Sequence, residues 1–235
     1  MISIEHIRKS HGRREVLHGI SFQARPARVT AFLGPNGAGK SSALRILLGL
    51  DRATSGLALI DGKRYRDLDR PMRTVGAMFD GPGASAGRSA RDHLRWMCTS
   101  NGIAPSRVPE VLAIVGLERH AKDKVGTFSL GMGQRLGIAS ALLGSPATLV
   151  LDEPTNGLDP DGLRWLRSFL RGQANAGHTV LVSSHLITEM ADLADDVVVI
   201  NDGSIVATGS VAAVRGSRPS LEHAFFALTD PGLLP

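Results

Sequence analysis

The chain has 235 residues, of which 43% are hydrophobic and 21% are charged, and this balance argues for a folded protein with a large core and against disorder. Cys98 is its only cysteine, which excludes an internal disulfide and a cysteine-cluster zinc site. The formal net charge of +5 favours an anionic partner, and composition leaves nucleotide, nucleic acid and lipid headgroup open.

Short β-branched runs alternate with helical patterns along the chain, which predicts strands joined by helical crossovers in a mostly parallel sheet. Three runs near the N-terminus are more typical of an antiparallel flank, at residues 2–7, 16–22 and 57–60. Buried strands of the main sheet are predicted at residues 29–33, 74–79, 149–152, 179–183 and 197–201. The sheet is therefore expected to be mixed.

The strand signal is lost between Arg88 and Gly144, where helices are predicted at residues 90–99, 108–115 and 134–143. So long a segment without strands cannot be a single crossover between two parallel strands, so we predict an inserted helical subdomain. The small residues at 80–90 predict a loop before it. The longest uncharged stretch, residues 136–151, is too short to cross a bilayer, and no membrane span is expected.

The sequence GPNGAGKSS follows the predicted strand VTAFL and precedes the helical run ALRILLGL. It fits G-x-x-x-x-G-K-[ST], a pattern in which glycines let the backbone bend around a phosphate. Lys40 is expected to reach the β- and γ-phosphates of a nucleotide, and the Ser41 hydroxyl to bind Mg²⁺. The predicted phosphate-binding residues are Gly34, Pro35, Asn36, Gly37, Ala38, Gly39, Lys40, Ser41 and Ser42.

A pair of carboxylates, Asp152 and Glu153, ends the predicted strand in LVLDEP. At the exit of a buried strand, one acidic residue can hold Mg²⁺ through water and its neighbour can polarise the attacking water. A simple turn at Asp-Glu-Pro is the alternative, and the phosphate loop favours the catalytic interpretation. The predicted fold class is α/β, with a P-loop NTPase core, a mixed but mostly parallel sheet, an antiparallel β flank and an inserted helical subdomain.

The phosphate loop, the carboxylate pair and further motifs make the chain resemble the nucleotide-binding subunits of ABC transporters over nearly its whole length. The motifs that carry the resemblance are GPNGAGKS, FSLGM at 128–132, LVLDEP, NGLD at 156–159 and SSH at 183–185. The segment SLEHAFFALT at 220–229 is similar to the end of the ABC-2 exporter branch, which moves drugs, antibiotics or lipids outwards.

The resemblance implies a role for each matching residue. Glu153 would be the general base or water-orienting group, and His185 would hydrogen-bond the γ-phosphate of ATP and the attacking water. Asp159 would connect two subunits. The segment FSLGM stands where the family signature contacts ATP held by the opposite subunit, through Ser129, Gly131 and Met132. Locally, Ser129 is explained equally well as a helix N-cap.

The sequence departs from the family pattern at several positions. Asp80 stands where a glutamine is usual; an aspartate could bind Mg²⁺ through water but would repel ATP. His11 stands where an aromatic ring usually stacks on adenine, although an exposed loop histidine is an equal alternative. In the signature, Leu130 replaces a usual glycine and Met132 replaces the usual glutamine, and we interpret both as typical of the exporter branch.

The resemblance implies a single ABC ATPase domain over residues 1–235, with a core at 1–87 and 145–210, a helical subdomain at 88–144 and a helical tail at 211–235. We expect an ATPase that uses ATP and Mg²⁺, pairs with a second copy, and powers export through a membrane permease of about six spans. Such a protein lies in the cytoplasm on the inner face of the cell membrane.

Three other interpretations were weighed. A soluble ABC-type ATPase acting on nucleic acid or ribosomes would suit the positive charge, but those proteins carry two nucleotide domains or a coiled-coil insert. An ATP-binding regulatory subunit without useful turnover is disfavoured by Glu153. The run GASAG at 83–87 fits a hydrolase elbow at Ser85, but it does not directly follow a strand.

Overall fold

The computed structural model describes residues 1–79, 81 and 83–230, and these residues divide into two compact units. One unit, here the terminal unit, comprises Met1–Asp69 and the chain from Leu170 onward. The other, the central unit, comprises Arg70–Phe169. Each is described separately below.

The terminal unit is built around a buried strand, β3 (Arg28–Leu33), which pairs in parallel with two others. Its neighbours are β7 (Thr179–Ser184) and β8 (Asp196–Asn201), both rich in valine and almost fully buried. A further strand, β9 (Ser204–Ser210), pairs antiparallel with β8 and was not expected from the sequence. The prediction of a mixed, mostly parallel sheet is confirmed.

An antiparallel sheet forms the flank of this unit, as predicted. Its strands are β1 (Ile2–His11), β2 (Arg14–Ala24) and β4 (Ser55–Ile60), in the order β2-β1-β4. Only two residues separate β1 from β2, so these strands form a tight hairpin. The β1 register shifts between Ile4 and Ile7, where His6 takes a φ of 50°, and such a bulge bends this central strand.

Four helices complete the terminal unit: α1 (Lys40–Leu47), α7 (Ile187–Leu193), α8 (Val211–Arg215) and α9 (Leu221–Thr229). Ser220 caps α9 by accepting a hydrogen bond from the His223 N–H at 3.2 Å. The Asn201 amide donates to the Thr229 carbonyl at 3.2 Å, and this bond ties the end of α9 to the end of β8.

The central unit contains β5 (Val75–Met78) and β6 (Thr148–Asp152), which pair in parallel. Its helices are α2 (Pro71–Thr74), α3 (Ala90–Ser100), α4 (Arg107–Val115) and α5 (Leu130–Leu142), while α6 (Pro160–Asn175) crosses the unit boundary. Single 3₁₀ turns lie at Glu118–His120 and Val125–Thr127 in this unit, and at Tyr65–Asp67 in the terminal unit. The described residues from 83 to 147 contain no named strand, which agrees with the predicted helical insertion.

Close packing of α5 on β5 explains a glycine within a strand. A β-carbon on Gly76 would lie 2.0 Å from the Ala141 carbonyl oxygen, so only glycine fits at this contact. Within the described ranges of the chain, no helix combines the length and the apolar character that crossing a membrane requires.

Candidate functional site

The predicted phosphate loop leaves β3 and leads directly into α1, as the sequence pattern requires. Gly37 and Gly39 have φ angles of 82° and 105°, in the left-handed region that glycine tolerates. A β-carbon on Gly34 would lie 2.4 Å from the Ile200 carbonyl oxygen, because β8 passes close to this turn. Pro35, Asn36 and Gly37 are exposed, whereas Gly34, Ala38 and Gly39 are buried. The loop is therefore anchored at both ends and open at its tip.

Lys40 folds back over the phosphate loop. Its side chain is only 6% exposed, and its Nζ donates to the Gly34 carbonyl at 2.7 Å and to the Pro35 carbonyl at 3.3 Å. Ser41 is exposed in the first turn of α1, and that turn contains no acidic residue. The positive end of the helix, the lysine and the open backbone together form a cradle that fits the phosphates of ATP.

His185 leaves the sheet at the same edge as the phosphate loop. Leu33 and Ser184 are register partners on β3 and β7, so the next residue on each parallel strand emerges at their shared carboxyl end. His185 is exposed there, while Ser184 is buried and its Oγ accepts from the Leu186 N–H at 3.0 Å. Within the terminal unit, the structure thus brings a histidine to the phosphate edge.

His11 lies exposed at the end of β1, opposite Arg14 in the hairpin. Contact with an adenine ring stays a prediction for this residue.

In the central unit, the two predicted carboxylates lie at the end of β6. Asp152 is its last residue and is 6% exposed. Glu153 follows, half-buried, with a φ of 50°, a left-handed conformation that is strained for a residue with a β-carbon. Strain of this kind is typical of functional positions. Met78 pairs with Leu151, so the chain after β5 leaves at the same edge, but Asp80 lies outside the described residues.

Ser129 caps the N-terminus of α5, so the explanation of this serine as a helix N-cap is confirmed. Its Oγ accepts from the Met132 N–H at 3.2 Å. An accepting hydroxyl keeps its own proton, so Ser129, which is exposed, can still donate to a phosphate oxygen. Gly131 and Met132 lie half-buried in the first turn beside it.

The turn at residues 156–159 leads into α6. Asp159 Oδ1 accepts from the Gly162 N–H at 2.7 Å and thereby caps that helix. Gly157 has a φ of 70° and lies directly beneath the side chain of Leu130, which sequence reasoning interpreted only as typical of the exporter branch. Nothing in a single sequence indicates that these two positions touch.

The donor set fits a magnesium nucleotide. Mg²⁺ prefers oxygen ligands and usually retains waters and substrate phosphates, and the Ser41 hydroxyl of the terminal unit and the Asp152 carboxylate of the central unit are each oxygen donors of the kind it takes. Among the residues that the structure describes, no group of three or more histidine, cysteine, aspartate or glutamate side chains could hold a metal by itself.

A separate cavity of about 290 Å³ lies in the central unit, between the end of β5, α3 and α5. His93 in its wall is 3% exposed, and its Nε2 lies 3.4 Å from Ser140 Oγ, whose proton goes to the Leu136 carbonyl at 3.0 Å. His93 Nε2 must therefore carry the proton in this contact, which leaves Nδ1 as an acceptor. Burial and then the charge of Arg88 lower the pKa of His93, so the ring is neutral at neutral pH. The cavity lining is Ala77, Met78, Phe79, Gly81, Gly83, His93, Trp96, Met97, Gly137 and Ser140.

Comparison with known proteins gives a consistent result. A family model described as ABC transporter matches residues 17–156. The lantibiotic transport ATP-binding protein SrtF of Streptococcus pyogenes is 39% identical over 206 residues, covering 88% of this chain and 89% of that protein. A solved ATP-binding subunit of an ABC transporter superposes with a TM-score of 0.87 at 26% identity, covering 97% of this chain and 99% of the other. A dimeric bacterial ABC transporter cassette gives a TM-score of 0.80 at 25% identity, with 89% and 98% covered.

Proposed function

This chain belongs to the ABC transporter family as one of its ATP-hydrolysing subunits, and from this premise we propose that it powers export of an antibiotic across the cytoplasmic membrane. The substrate class is supported by the lantibiotic transport of the S. pyogenes relative. In this proposal the chain lies against the inner face of the membrane and a permease supplies the channel.

The chemistry follows from the two sets of residues. The phosphate loop and Lys40 hold the triphosphate, while Glu153 takes a proton from water or orients it for attack on the γ-phosphorus. The bond from the γ-phosphorus to the bridging oxygen breaks, which releases ADP and inorganic phosphate. His185 donates a hydrogen bond to the γ-phosphate as charge moves through the transition state. Mg²⁺, held through Ser41 and Asp152, would neutralise the phosphate charge.

A second copy of the chain completes each site in this proposal. Ser129, Gly131 and Met132 contact the γ-phosphate of ATP held by the partner, and Asp159 links the two copies. The observation that carries the proposal is that Ser129 is exposed at a helix N-terminus with one hydroxyl proton still to donate. Binding of two ATP molecules would close the pair, and hydrolysis would reopen it.

We further propose that the permease inserts a segment at the cavity in the central unit. This cavity lies in the proposed helical subdomain, 88–144, and in the residues that lead into it. Trp96 at the rim is 54% exposed, and the Arg88 guanidinium lies 4.9 Å from its ring centroid. An apolar segment that offers one N–H or O–H donor to His93 Nδ1 would match both the lining and its buried acceptor.

The deciding experiment uses Glu153→Gln, which keeps the size of the side chain but cannot accept a proton. Purified Glu153→Gln should elute as a dimer with ATP in Mg-free buffer and as a monomer with ADP, whereas the wild type should dimerise only transiently. Glu118→Gln, at an exposed 3₁₀ turn, serves as the matched control and should behave as the wild type. A Glu153→Gln variant that remains monomeric with ATP would overturn the proposed mechanism, and co-purification with RNA in place of a membrane protein would overturn the proposed role.

A further inference from the structure

The signature turn and the turn at residues 156–159 are in direct contact within the central unit. A β-carbon on Gly157 would lie 2.1 Å from Leu130 Cδ2 and 2.3 Å from Leu130 Cγ, so the leucine occupies all the space above this glycine. The neighbouring Gly131 also approaches this turn, since a β-carbon there would lie 3.2 Å from the Gly157 carbonyl oxygen. The start of α5 therefore rests on the turn before α6.

The same two helices are joined a second time further along. The Arg135 guanidinium on α5 lies 4.3 Å from the ring centroid of Trp165 on α6, at the distance of a cation–π contact. Arg135 Nη1 also donates to the Val115 carbonyl at 2.8 Å, at the end of α4. Two contacts thus join the N-terminal half of α5 to the turn before α6 and to α6 itself.

We propose that Leu130 is a positioning residue that makes Ser129 and Asp159 move as one body. Leu130 is 58% exposed, so its conformation is fixed by its contact with Gly157 and not by burial in the core. Asp159 is the last residue of that turn, and it is tied to the first turn of α6 by accepting a hydrogen bond from the Gly162 N–H at 2.7 Å. The usual glycine at position 130 has no side chain to make this contact.

This inference rests on the proposed function, in which Ser129 touches the partner's nucleotide and Asp159 links the copies. Because the connection is rigid, contact of Ser129 with the partner's nucleotide also holds Asp159 in position to contact the partner copy. Less conformational freedom is then lost at the interface when the pair closes. Leu130 would therefore act on ATP-driven pairing. It would leave ATP affinity of the dilute monomer within about 2-fold, because the phosphate loop is untouched.

The test is a rescue experiment in the Glu153→Gln background, with the ATP concentration for half-maximal dimerisation as the readout. Gly157→Ala should raise this concentration about 10-fold or more, through the clash with Leu130 and the strain at φ 70°. In the double variant, Leu130→Ala should remove the clash. The ATP concentration for half-maximal dimerisation should then lie within about 3-fold of the concentration measured for Leu130→Ala alone. Gly102→Ala is the matched control for strain, because its φ is 61° and nothing lies within 4 Å of the added carbon.

Each result has one consequence. Rescue with an unchanged monomer affinity supports the inference, while simple additivity of the two substitutions overturns it. If Gly157→Ala does not fold, a comparison of Leu130→Gly with Leu130→Met takes its place. Leu130→Gly should weaken dimerisation about 10-fold and Leu130→Met should not, and equal dimerisation by the two variants overturns the inference. Absence of any ATP-dependent dimer in Glu153→Gln itself would overturn the proposed function and this inference together, whereas a dimer without rescue would overturn the inference alone.

Discussion

Leu33 lies opposite Ser184 in the parallel pairing of β3 with β7, which brings His185 out beside the first glycine of the phosphate loop. We expect His185→Ala to lower kcat for ATP hydrolysis about 100-fold while changing ATP affinity less than about 3-fold, as for loss of a group that acts mainly in the transition state. His178→Ala is the matched control, because His178 precedes the same strand at its amino end. Equal losses in both variants would contradict the assignment of His185.

Lys40 spans the loop through the Gly34 and Pro35 carbonyls, so its ammonium is held where the phosphates would bind. Lys40→Met keeps the length of the side chain and removes the charge, and it should weaken ATP binding about 10- to 100-fold. Equilibrium titration with a fluorescent ATP analogue measures this. The exposed Lys63→Met should bind as the wild type, and normal binding by Lys40→Met would contradict the predicted role.

Trp96 offers an exposed ring at the rim of the cavity in the central unit. Trp96→Ala should reduce the amount of permease that co-purifies with the chain about 10-fold, as for loss of an aromatic anchor, while ATP hydrolysis by the isolated chain is retained. Ile114→Ala is the control, since Ile114 is 41% exposed on α4 and is not part of the cavity lining. Undiminished co-purification would exclude this surface.

Asp196 at the start of β8 is buried between two arginines, with Arg28 Nε at 2.6 Å and Arg25 Nη2 at 3.0 Å. Burial opposes ionisation, but the bonds and charges of Arg28 and Arg25 outweigh it and lower the pKa of Asp196. Asp196→Asn should therefore cost about 2 kcal/mol of unfolding free energy at pH 7.

The pH dependence of this contribution has a definite sign. Because the folded pKa is below the unfolded value of about 3.9, the contribution is complete above that pH and is lost as the pH falls through the folded pKa. The Tm difference between the wild type and Asp196→Asn should accordingly shrink below about pH 4. Glu15→Gln, in the exposed pair with Arg8, should change the Tm little at any pH.

Gly76 lies where β5 meets α5, and a β-carbon there would lie 2.0 Å from a backbone carbonyl oxygen. Gly76→Ala should destabilise the fold by about 3 kcal/mol, since the backbone of α5 must shift. Gly172→Ala on α6, where nothing lies within 4 Å of the added carbon, should stabilise it by about 0.5–1 kcal/mol. Denaturant titration of both variants measures the contrast, and equal effects would contradict the packing argument.

Periodic patterns predicted most of this fold because the buried strands carry uninterrupted apolar residues and the phosphate loop sits between a strand and a helix. The strand β9 was missed because three of its seven residues are serine or threonine and Gly209 breaks its pattern. Signature residues were predicted from their order in the chain. The contact of Leu130 with Gly157 could not be predicted in this way, because the two residues are far apart in the sequence and only the folded structure brings them together.

The left-handed backbone of Glu153 also bears on how this chain can be altered. Glycine or asparagine would adopt that conformation more readily, so either should raise the melting temperature while removing the carboxylate. In the proposed function this carboxylate is catalytic, so selection for heat resistance alone would favour variants at this position that have lost ATP hydrolysis. Any engineering of a more heat-stable transporter subunit has to measure ATP turnover at every round of selection.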